Sequence, residues 1–189
     1  MVKIRQFNSK DIARVEQICI DNAGTRARED AEYGKMILYM YNRYYTSKTP
    51  DYCFVAVDEE DSPIGYIICA PDRKAYDRDY VRCEIAQIRK FSLFKALLAR
   101  GEMLASVPFK RKYPAHLHID LDERARHQGT GTALMTALCD KLKAQGVPAV
   151  MLIVSSGNKN AVSFYQRNQF EIIGKLFGSA YVMGRQLKG

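Results

Sequence analysis

The sequence has no apolar run that approaches the roughly 20 residues of a membrane-spanning helix. Its N-terminus also lacks the apolar stretch of a signal peptide, because Met-Val-Lys-Ile-Arg leads directly into a polar segment. The five cysteines are scattered and include no Cys-x-x-Cys spacing. That pattern fits neither a disulfide framework nor a zinc site. We therefore expect a cytoplasmic protein without a membrane partner and without a metal.

Acidic residues are fewer than basic ones, with 21 Asp and Glu against 29 Lys and Arg, and the net charge is +8. A basic balance can indicate nucleic acid, an acidic partner or a phosphorylated ligand. The basic residues are spread along the chain, and their short concentration at Lys110–Lys112 is interpreted as a solvated surface. No nucleic-acid motif accompanies them, so a cofactor with several phosphate charges is favoured over nucleic acid.

The length of 189 residues and the apolar fraction of 47% suit one domain, residues 1–189, with a full hydrophobic core. Cys19, Cys69 and Cys139 lie within apolar stretches and are expected to be buried. Neither an internal repeat nor a domain boundary is visible. A long charged stretch at about 73–112 is interpreted as an ordered helical insertion.

Residue periodicity predicts the order of the elements. Alternation predicts a first strand at Val2–Phe7, and Asn8 or Ser9 can cap the helix that follows. The apolar runs Cys53–Val57 and Ile64–Cys69, joined by turn residues, predict a hairpin. This order predicts a mixed α/β sheet with helices on both faces and a parallel crossover between residues 115 and 154. The other predicted elements are helices around Met36–Tyr45, at Tyr80–Ile88, at Phe91–Leu98, from near Gly129 to Gly146 and at Ala161–Arg167, and strands at Ala115–Leu121, Ala149–Val154, Phe170–Ile173 and Tyr181–Leu187.

A glycine-containing loop, Arg126-His-Gln-Gly129-Thr-Gly131, lies where a predicted strand gives way to a helix. Such a junction leaves backbone N–H groups without intrahelical partners at the positive end of the helix dipole, which makes it an anion site. Gly129 and Gly131 lack a Cβ, so a pyrophosphate could approach the backbone closely. Glycine pairs at helix starts are also often only tight turns, and the loop lacks the Gly-Lys-Ser/Thr of a P-loop.

The spacing around this loop resembles a known motif. Leu121 through Gly131 matches apolar-x-x-x-x-Arg/Gln-x-x-Gly-x-Gly/Ala, the cofactor motif of the GNAT N-acetyltransferase superfamily. Downstream, Asn158-x-x-Ala-x-x-Phe-Tyr165 is similar to the second motif of that superfamily, although Gln169 stands where a glycine is usual. The resemblance covers most of the chain. It implies a mixed, mostly antiparallel central sheet with a helical insertion between strands 3 and 4.

A narrower resemblance rests on two segments, Gly65–Asp72 and Pro114–Asp120. They are similar to bacterial stand-alone relatives of the acetyltransferase-like domain of O-GlcNAcase, a subgroup with a long insertion at the same place. The resemblance implies transfer of the acetyl group of acetyl-CoA to a primary amine of a small molecule or peptide. A catalytically inactive, acetyl-CoA-binding or scaffolding relative is the alternative. A homodimer is a further expectation.

The resemblance also implies roles for single residues. Tyr165 would protonate the departing thiolate, although it could instead pack in the core beside Phe164. His116, His118 and Asp120 alternate on one face of a strand, so they could line a cleft or form a structural network. His118 or Asp120 would then take the proton of the ammonium group. No third ligand from elsewhere accompanies them, so they do not indicate a metal.

The expected acetyl-CoA site combines a strand edge, the glycine-containing loop and the second motif. Five tyrosines between Tyr33 and Tyr45 could line a pocket for a partly apolar or sugar-like acceptor, or could pack as an amphipathic helix. The residues expected to bind acetyl-CoA are Ile119, Asp120, Leu121, Arg126, His127, Gln128, Gly129, Thr130, Gly131, Thr132, Asn158 and Tyr165.

Overall fold

A computed structural model describes residues 2–187, apart from the side chain of Glu102. Seven strands form one sheet in the order β1-β2-β3-β4-β5-β7-β6. All neighbouring strands are antiparallel except β4 and β5, which are parallel, so the predicted mixed and mostly antiparallel sheet is confirmed. The strands are β1 Lys3–Gln6, β2 Phe54–Val57, β3 Pro63–Ala70, β4 Ala115–Leu121, β5 Ala149–Ser155, β6 Glu171–Leu176 and β7 Ala180–Gln186.

Helices cover both faces of the sheet, and three of them, α5 to α7, form the predicted helical insertion between β3 and β4. No helix within residues 2–187 is long and apolar enough to cross a membrane. The α-helices are α1 Ile12–Asn22, α2 Thr25–Glu29, α3 Ala31–Tyr41, α4 Arg43–Lys48, α5 Arg73–Arg82, α6 Glu84–Phe91, α7 Leu93–Ala105, α8 Thr130–Ala144 and α9 Lys159–Arg167.

Three predicted helices are wrong in that each is interrupted. Met36–Tyr45 breaks at Asn42, where the backbone leaves the helical conformation, Phe91–Leu98 breaks at Ser92, which is extended, and Tyr80–Ile88 is not one helix. The chain reorients at Cys83, between α5 and α6. α5 buries Tyr76 and Tyr80 at a spacing of four, whereas the next buried apolar residue, Ile85, comes five residues later. A continuous helix would turn Ile85 away from the side that buries Tyr80. The break between α5 and α6 therefore lets the apolar side of each helix face the core.

The sheet separates two large apolar layers. On the first face, α1 and α3 to α7 pack against β2 and β3, with Ile68 fully buried. On the second face, α8 and α9 pack against β3, β4 and β5, with Leu117 at 1% exposure. Cys19, Cys69 and Cys139 are buried as expected, since none of them exceeds 3% exposure.

The parallel strands β4 and β5 stay together only briefly. Within residues 2–187 they pair at Ala115 with Val150 and at His116 with Met151. Beyond that point β4 remains bonded to β3 as far as Leu121, and β5 remains bonded to β7 as far as Ser155. The two strands therefore diverge and leave a wedge-shaped gap, here called the β4–β5 gap. On the gap side, the backbone of β4 has no strand partner there among the residues that the structure describes.

Candidate functional site

The glycine-containing loop leads from β4 into α8 beside the β4–β5 gap. Gly129 is the N-cap of α8 with a φ of 78°, and His127 also has a positive φ, of 62°. A Cβ at Gly129 would meet no atom within 4 Å, so the space beside this backbone is open. Arg126 to Gly129 are exposed. The loop thus presents the unpaired N–H groups at the positive end of α8 to an open surface, as an anion site requires.

The structure requires a glycine at Gly131 for a different reason than at Gly129. A Cβ at Gly131 would lie 3.0 Å from two ring carbons of Phe164 and 3.5 Å from Leu121 Cδ1. The absent side chain therefore allows α9 to pack closely on the first turn of α8. The two sequence motifs meet at this contact, because Gly131 ends the first and Phe164 belongs to the second.

The other loop residues differ in how they contact the rest of the protein. Arg126 Nη2 donates to Asn22 Oδ1 at 2.9 Å, and Asn22 Nδ2 donates to the Leu121 carbonyl at 3.1 Å, which ties the end of α1 to the end of β4. Gln128 Nε2 donates to the Arg124 carbonyl at 2.9 Å. Thr130 is buried, and its Oγ1 has no hydrogen-bond partner among residues 2–187, whereas Thr132 is exposed.

The second motif forms α9 and the turn after it. Asn158 Oδ1 caps the helix by accepting the Ala161 N–H at 3.1 Å. Tyr165 is half-buried and packs edge-on against Phe164, with ring centroids 5.2 Å apart. Gln169, at the usual glycine position, has a φ of 66° and so keeps the left-handed turn that glycine would make. A left-handed conformation costs a residue with a Cβ about 1–2 kcal/mol.

The polar face of β4 points toward α1, α3 and the insertion. Asp120 lies opposite Tyr66 of β3, and the Tyr66 hydroxyl donates a short hydrogen bond to Asp120 Oδ2. Tyr45 and His116 form a buried hydrogen bond of 2.9 Å between the hydroxyl and Nδ1. His118 stands edge-on to the Tyr45 ring at a centroid distance of 5.3 Å. The polar side chains of β4 thus form a hydrogen-bonded network and also line a cleft.

The titratable groups of this face are shifted in opposite directions. Burial raises the pKa of Asp120 to about 7, against the hydrogen bond from Tyr66 and the positive charge of Arg126, which lower it. Burial, with a contribution from the charge of Arg73, lowers the pKa of His118 to about 4. Burial likewise raises the pKa of Tyr165 above its ordinary value, with a contribution from the charge of Asp120. At pH 7 the tyrosine and the histidine are therefore neutral, and Asp120 is the group that titrates.

A cavity of about 400 Å³ lies on the first face of the sheet, over the β4–β5 gap. Its floor is formed by β4 and β5, and its walls by α3 and the insertion. Two of the five tyrosines considered from the sequence, Tyr44 and Tyr45, are buried in the core, whereas Tyr41 reaches the cavity. The residues that line it are Met40, Tyr41, Arg73, Tyr76, Tyr80, Ala99, Met103, His116, His118, Ile153, Ser155, Ser179 and Ala180.

Several residues at this site escaped the sequence reasoning. Tyr66 could have been found only with the β3–β4 register, which places it opposite Asp120. Arg73 and Tyr76 belong to the insertion, which the sequence marks only as charged and helical. Among residues 2–187 no group of three or more metal-ligating side chains converges.

Comparison with known proteins gives the family. The model of the Acetyltransferase (GNAT) family matches residues 19–170. The chain belongs to this family. It is 30% identical over 132 residues to N-alpha-acetyltransferase 30 of Schizosaccharomyces pombe, and 28% identical over 95 residues to the uncharacterized protein YdhI of Bacillus subtilis. These matches cover 70% and 50% of the chain, and 65% and 59% of the two relatives.

Solved structures agree with this family. SsHAT superposes with a TM-score of 0.87 at 27% identity, covering 100% of the chain and 99% of SsHAT. The PaiA N-acetyltransferase of Thermoplasma acidophilum, solved in complex with coenzyme A, has a TM-score of 0.60 at 16% identity. That comparison covers 98% of the chain and 99% of PaiA, and supports the fold alone.

The raised pKa of Asp120 has a consequence for stability that can be measured. Between pH 4 and 7 the folded protein holds a proton on Asp120 that the unfolded chain releases, so this residue lowers the free energy of unfolding as the pH rises. The slope is at most ~1.4 kcal/mol per pH unit. In urea denaturation, Asp120→Asn should therefore have a higher free energy of unfolding than the wild type at pH 8. This difference should shrink toward pH 4.

Asp140→Asn, on the exposed side of α8, is the matched control and should produce no such pH-dependent difference. A gain of the same size at pH 4 and pH 8 would contradict the assignment of the titration to Asp120.

Proposed function

We propose that this chain is an active N-acetyltransferase that transfers the acetyl group of acetyl-CoA directly to a primary amine. The observation that carries the proposal is the β4–β5 gap itself, which opens beside the start of α8 where Gly131 of the first motif packs on Phe164 of the second. Asp120 lies on β4 and Tyr165 on α9, and the pKa of Tyr165 is raised by burial, with a contribution from the charge of Asp120. Environments that hold one group protonated and let another titrate near pH 7 are typical of acid–base pairs in enzymes.

The residues at the loop fit a pyrophosphate-containing co-substrate. The open space beside Gly129 would admit a phosphate group, and the unpaired N–H groups at the start of α8 would donate to its oxygens. The uncovered edge of β4 at Ile119 to Leu121 would hydrogen-bond an amide-containing arm. Acetyl-CoA supplies the activated thioester when bound. The residues proposed to hold it are Ile119, Asp120, Leu121, Arg126, His127, Gln128, Gly129, Thr130, Gly131, Thr132, Asn158 and Tyr165.

The transfer requires one bond to form and one to break. The amine nitrogen forms a bond to the acetyl carbon as the bond from that carbon to sulfur breaks. The acceptor arrives as an ammonium group, which must lose a proton before its nitrogen can attack, and we assign the proton acceptor as Asp120, because its pKa of about 7 matches the working pH. Tyr165, which stays protonated, donates to the departing sulfur, and the second proton that the nitrogen loses on becoming an amide restores the phenol. His118 remains the second candidate for the base, but with a pKa of about 4 it holds a proton poorly at neutral pH.

The cavity on the first face is the proposed site of the amine. It reaches the gap from the side opposite α8 and α9, so the acceptor and the co-substrate would meet across β4 without competing for the same surface. Its volume of about 400 Å³ lies within the range of small-molecule sites. A peptide amine, as the name of the fission-yeast relative indicates for that protein, is the alternative acceptor class. An acetyl-CoA-binding pseudoenzyme is the alternative function.

Binding of acetyl-CoA tests the co-substrate, and two glycines at opposite ends of α8 provide a matched pair. Gly129 and Gly146 both have a positive φ, 78° and 70°, and both face open space, so replacement by alanine causes similar strain. Only Gly129→Ala places a Cβ where the pyrophosphate is proposed to lie. Calorimetry should show that acetyl-CoA binds the wild type and Gly146→Ala alike, and binds Gly129→Ala at least tenfold more weakly. Equal affinities for all three proteins would disprove the loop assignment.

Tyr165→Phe tests turnover. Loss of a positioned general acid costs ~10²–10⁴-fold in rate, so kcat should fall by that factor while the Kd of acetyl-CoA changes little. Release of coenzyme A thiol, measured with a panel of amines, reports kcat. Tyr52→Phe is the control, because Tyr52 is also a half-buried tyrosine of the second face but packs under Lys141. No turnover by the wild type with any amine, despite acetyl-CoA binding, would favour the pseudoenzyme.

We also propose that the protein is a homodimer formed through α7. Leu93, Phe94, Leu97 and Leu104 lie on one side of this helix and are 59–66% exposed, and Phe177 beside Gly101 is 74% exposed. An isolated monomer rarely leaves so many large apolar side chains together in water. A second copy of the chain is the proposed occupant, because two such faces can cover each other in a symmetric contact of standard size, about 800 Å² from each partner.

Sedimentation at micromolar concentration should show a dimer for the wild type and a monomer for Leu97→Glu, whose added charge cannot be buried in an apolar contact. Thr136→Glu, which adds the same charge to an exposed position of α8, should remain dimeric. A monomeric wild type would exclude this interface.

Two narrower inferences from the sequence stay predictions. One is kinship with bacterial relatives of the acetyltransferase-like domain of O-GlcNAcase, which the helical insertion between β3 and β4 supports. The other is a cytoplasmic location.

A further inference from the structure

The guanidinium group of Arg73 lines the cavity, and not all of its N–H donors have a hydrogen-bond partner among residues 2–187. Arg73 is only 3% exposed. Its Nε donates to Asp77 Oδ1 at 3.0 Å and its Nη2 to Ser106 Oγ at 2.9 Å. Its Nη1 is buried and has no hydrogen-bond partner among residues 2–187. Buried donors are nearly always paired, and an unpaired charged donor is among the most costly, so this group calls for a ligand.

The charge around Arg73 is also unbalanced. Asp77, its ion-pair partner, is shared with Lys110, which bonds the other carboxylate oxygen. Two positive groups thus share one negative group at this end of the cavity. Burial lowers the pKa of both His116 and His118 on β4, and the Arg73 charge contributes to the same effect across the cavity. A single negative charge entering the cavity would neutralise the excess.

The rest of the cavity wall is aromatic and apolar. The Arg73 guanidinium lies 5.0 Å from the centroid of the Tyr76 ring, which stacks on Tyr80 at 4.9 Å. Met40 and Met103 complete this side of the wall. His118 and Ser155 lie at the side of β4 and β5, where the gap opens. The cavity therefore has a positive, aromatic end within the insertion and an end at the proposed reaction site.

We propose that the acceptor is an amine that carries an anionic group, and that the Arg73 guanidinium binds this anion while the amine points to the β4–β5 gap. This inference rests on the proposed function, because it takes the cavity as the acceptor site. Arg73 would be a specificity-determining residue. The chemical class is a small amine with a carboxylate or similar anion at its far end, joined by an apolar or aromatic body.

A matched pair of probes tests the class of ligand. 4-(Aminomethyl)benzoate and 4-(aminomethyl)benzamide have the same amine and ring, and at pH 8 they differ in the charge of the far group. A hydrogen bond to a charged partner should make the wild type bind the benzoate at least ~10-fold more tightly. Binding is measured by calorimetry on the Tyr165→Phe protein as well as the wild type, so the result does not depend on turnover.

The three histidines locate the probe. In NMR spectra the benzoate should shift the ring signals of His118, which lines the cavity, and should leave those of His127 in the exposed loop unchanged. A shift confined to His127 would place the probe outside the cavity and overturn the proposal.

Two variants distinguish the effect of the Arg73 guanidinium on binding from the effect of its surroundings. Arg73→Met should reduce the preference for the benzoate to less than twofold, and Asp77 keeps Lys110 as its partner in that protein. Ser106→Ala, which removes one neighbour of Arg73 but leaves Nη1, should retain the preference. If Arg73→Met does not fold, the wild-type comparison decides: equal affinity for the two probes overturns the proposal. Acetylation of neutral amines without any such preference would overturn this inference and leave the proposed function intact.

Discussion

The divergence of β4 from β5 is the constraint on which the rest of the site depends. Two strands that paired along their whole length would cover each other's edges and leave no opening in the sheet. Because pairing stops after His116 and Met151, the edge of β4 is uncovered where the loop to α8 begins. The same opening connects the two faces of the sheet. The co-substrate proposed to bind on the side of α8 and α9 could therefore reach the amine proposed to lie on the side of the insertion.

The polar groups around this opening are costly to the fold. A carboxyl group with a pKa near 7, two neutral histidines and a guanidinium with an unpaired nitrogen are all held in largely apolar surroundings. A protein stabilised only by its core would replace them with apolar side chains. Their concentration on one strand and one helix, with Arg73, His116 and His118 lining one cavity, is typical of a functional site that trades stability for reactivity.

The insertion between β3 and β4 has a role that its composition does not reveal. Its sequence is charged, and its helices are short, but α5 places Arg73 and Tyr76 directly over the polar face of β4. The N–H of Arg73 also donates to the Pro114 carbonyl at 2.8 Å, which joins the start of α5 to the residue before β4. The insertion thus forms part of the wall of the proposed acceptor cavity.

The sequence by itself determined most of the element order and the location of the loop, because apolar periodicity and glycine positions are local properties. Ala115–Leu121 was predicted with its observed bounds, and the helix after Gly129 begins where the glycine requires. The break at Cys83, the contact of Gly131 with Phe164 and the partners of Asp120 and Arg73 were decided only by the tertiary structure. The contacts Gly131–Phe164, Tyr66–Asp120 and Arg73–Ser106 join residues 33 to 54 positions apart, and no local pattern encodes those distances. The same holds for the shifted pKa values, since burial, their main cause, exists only once the chain is folded.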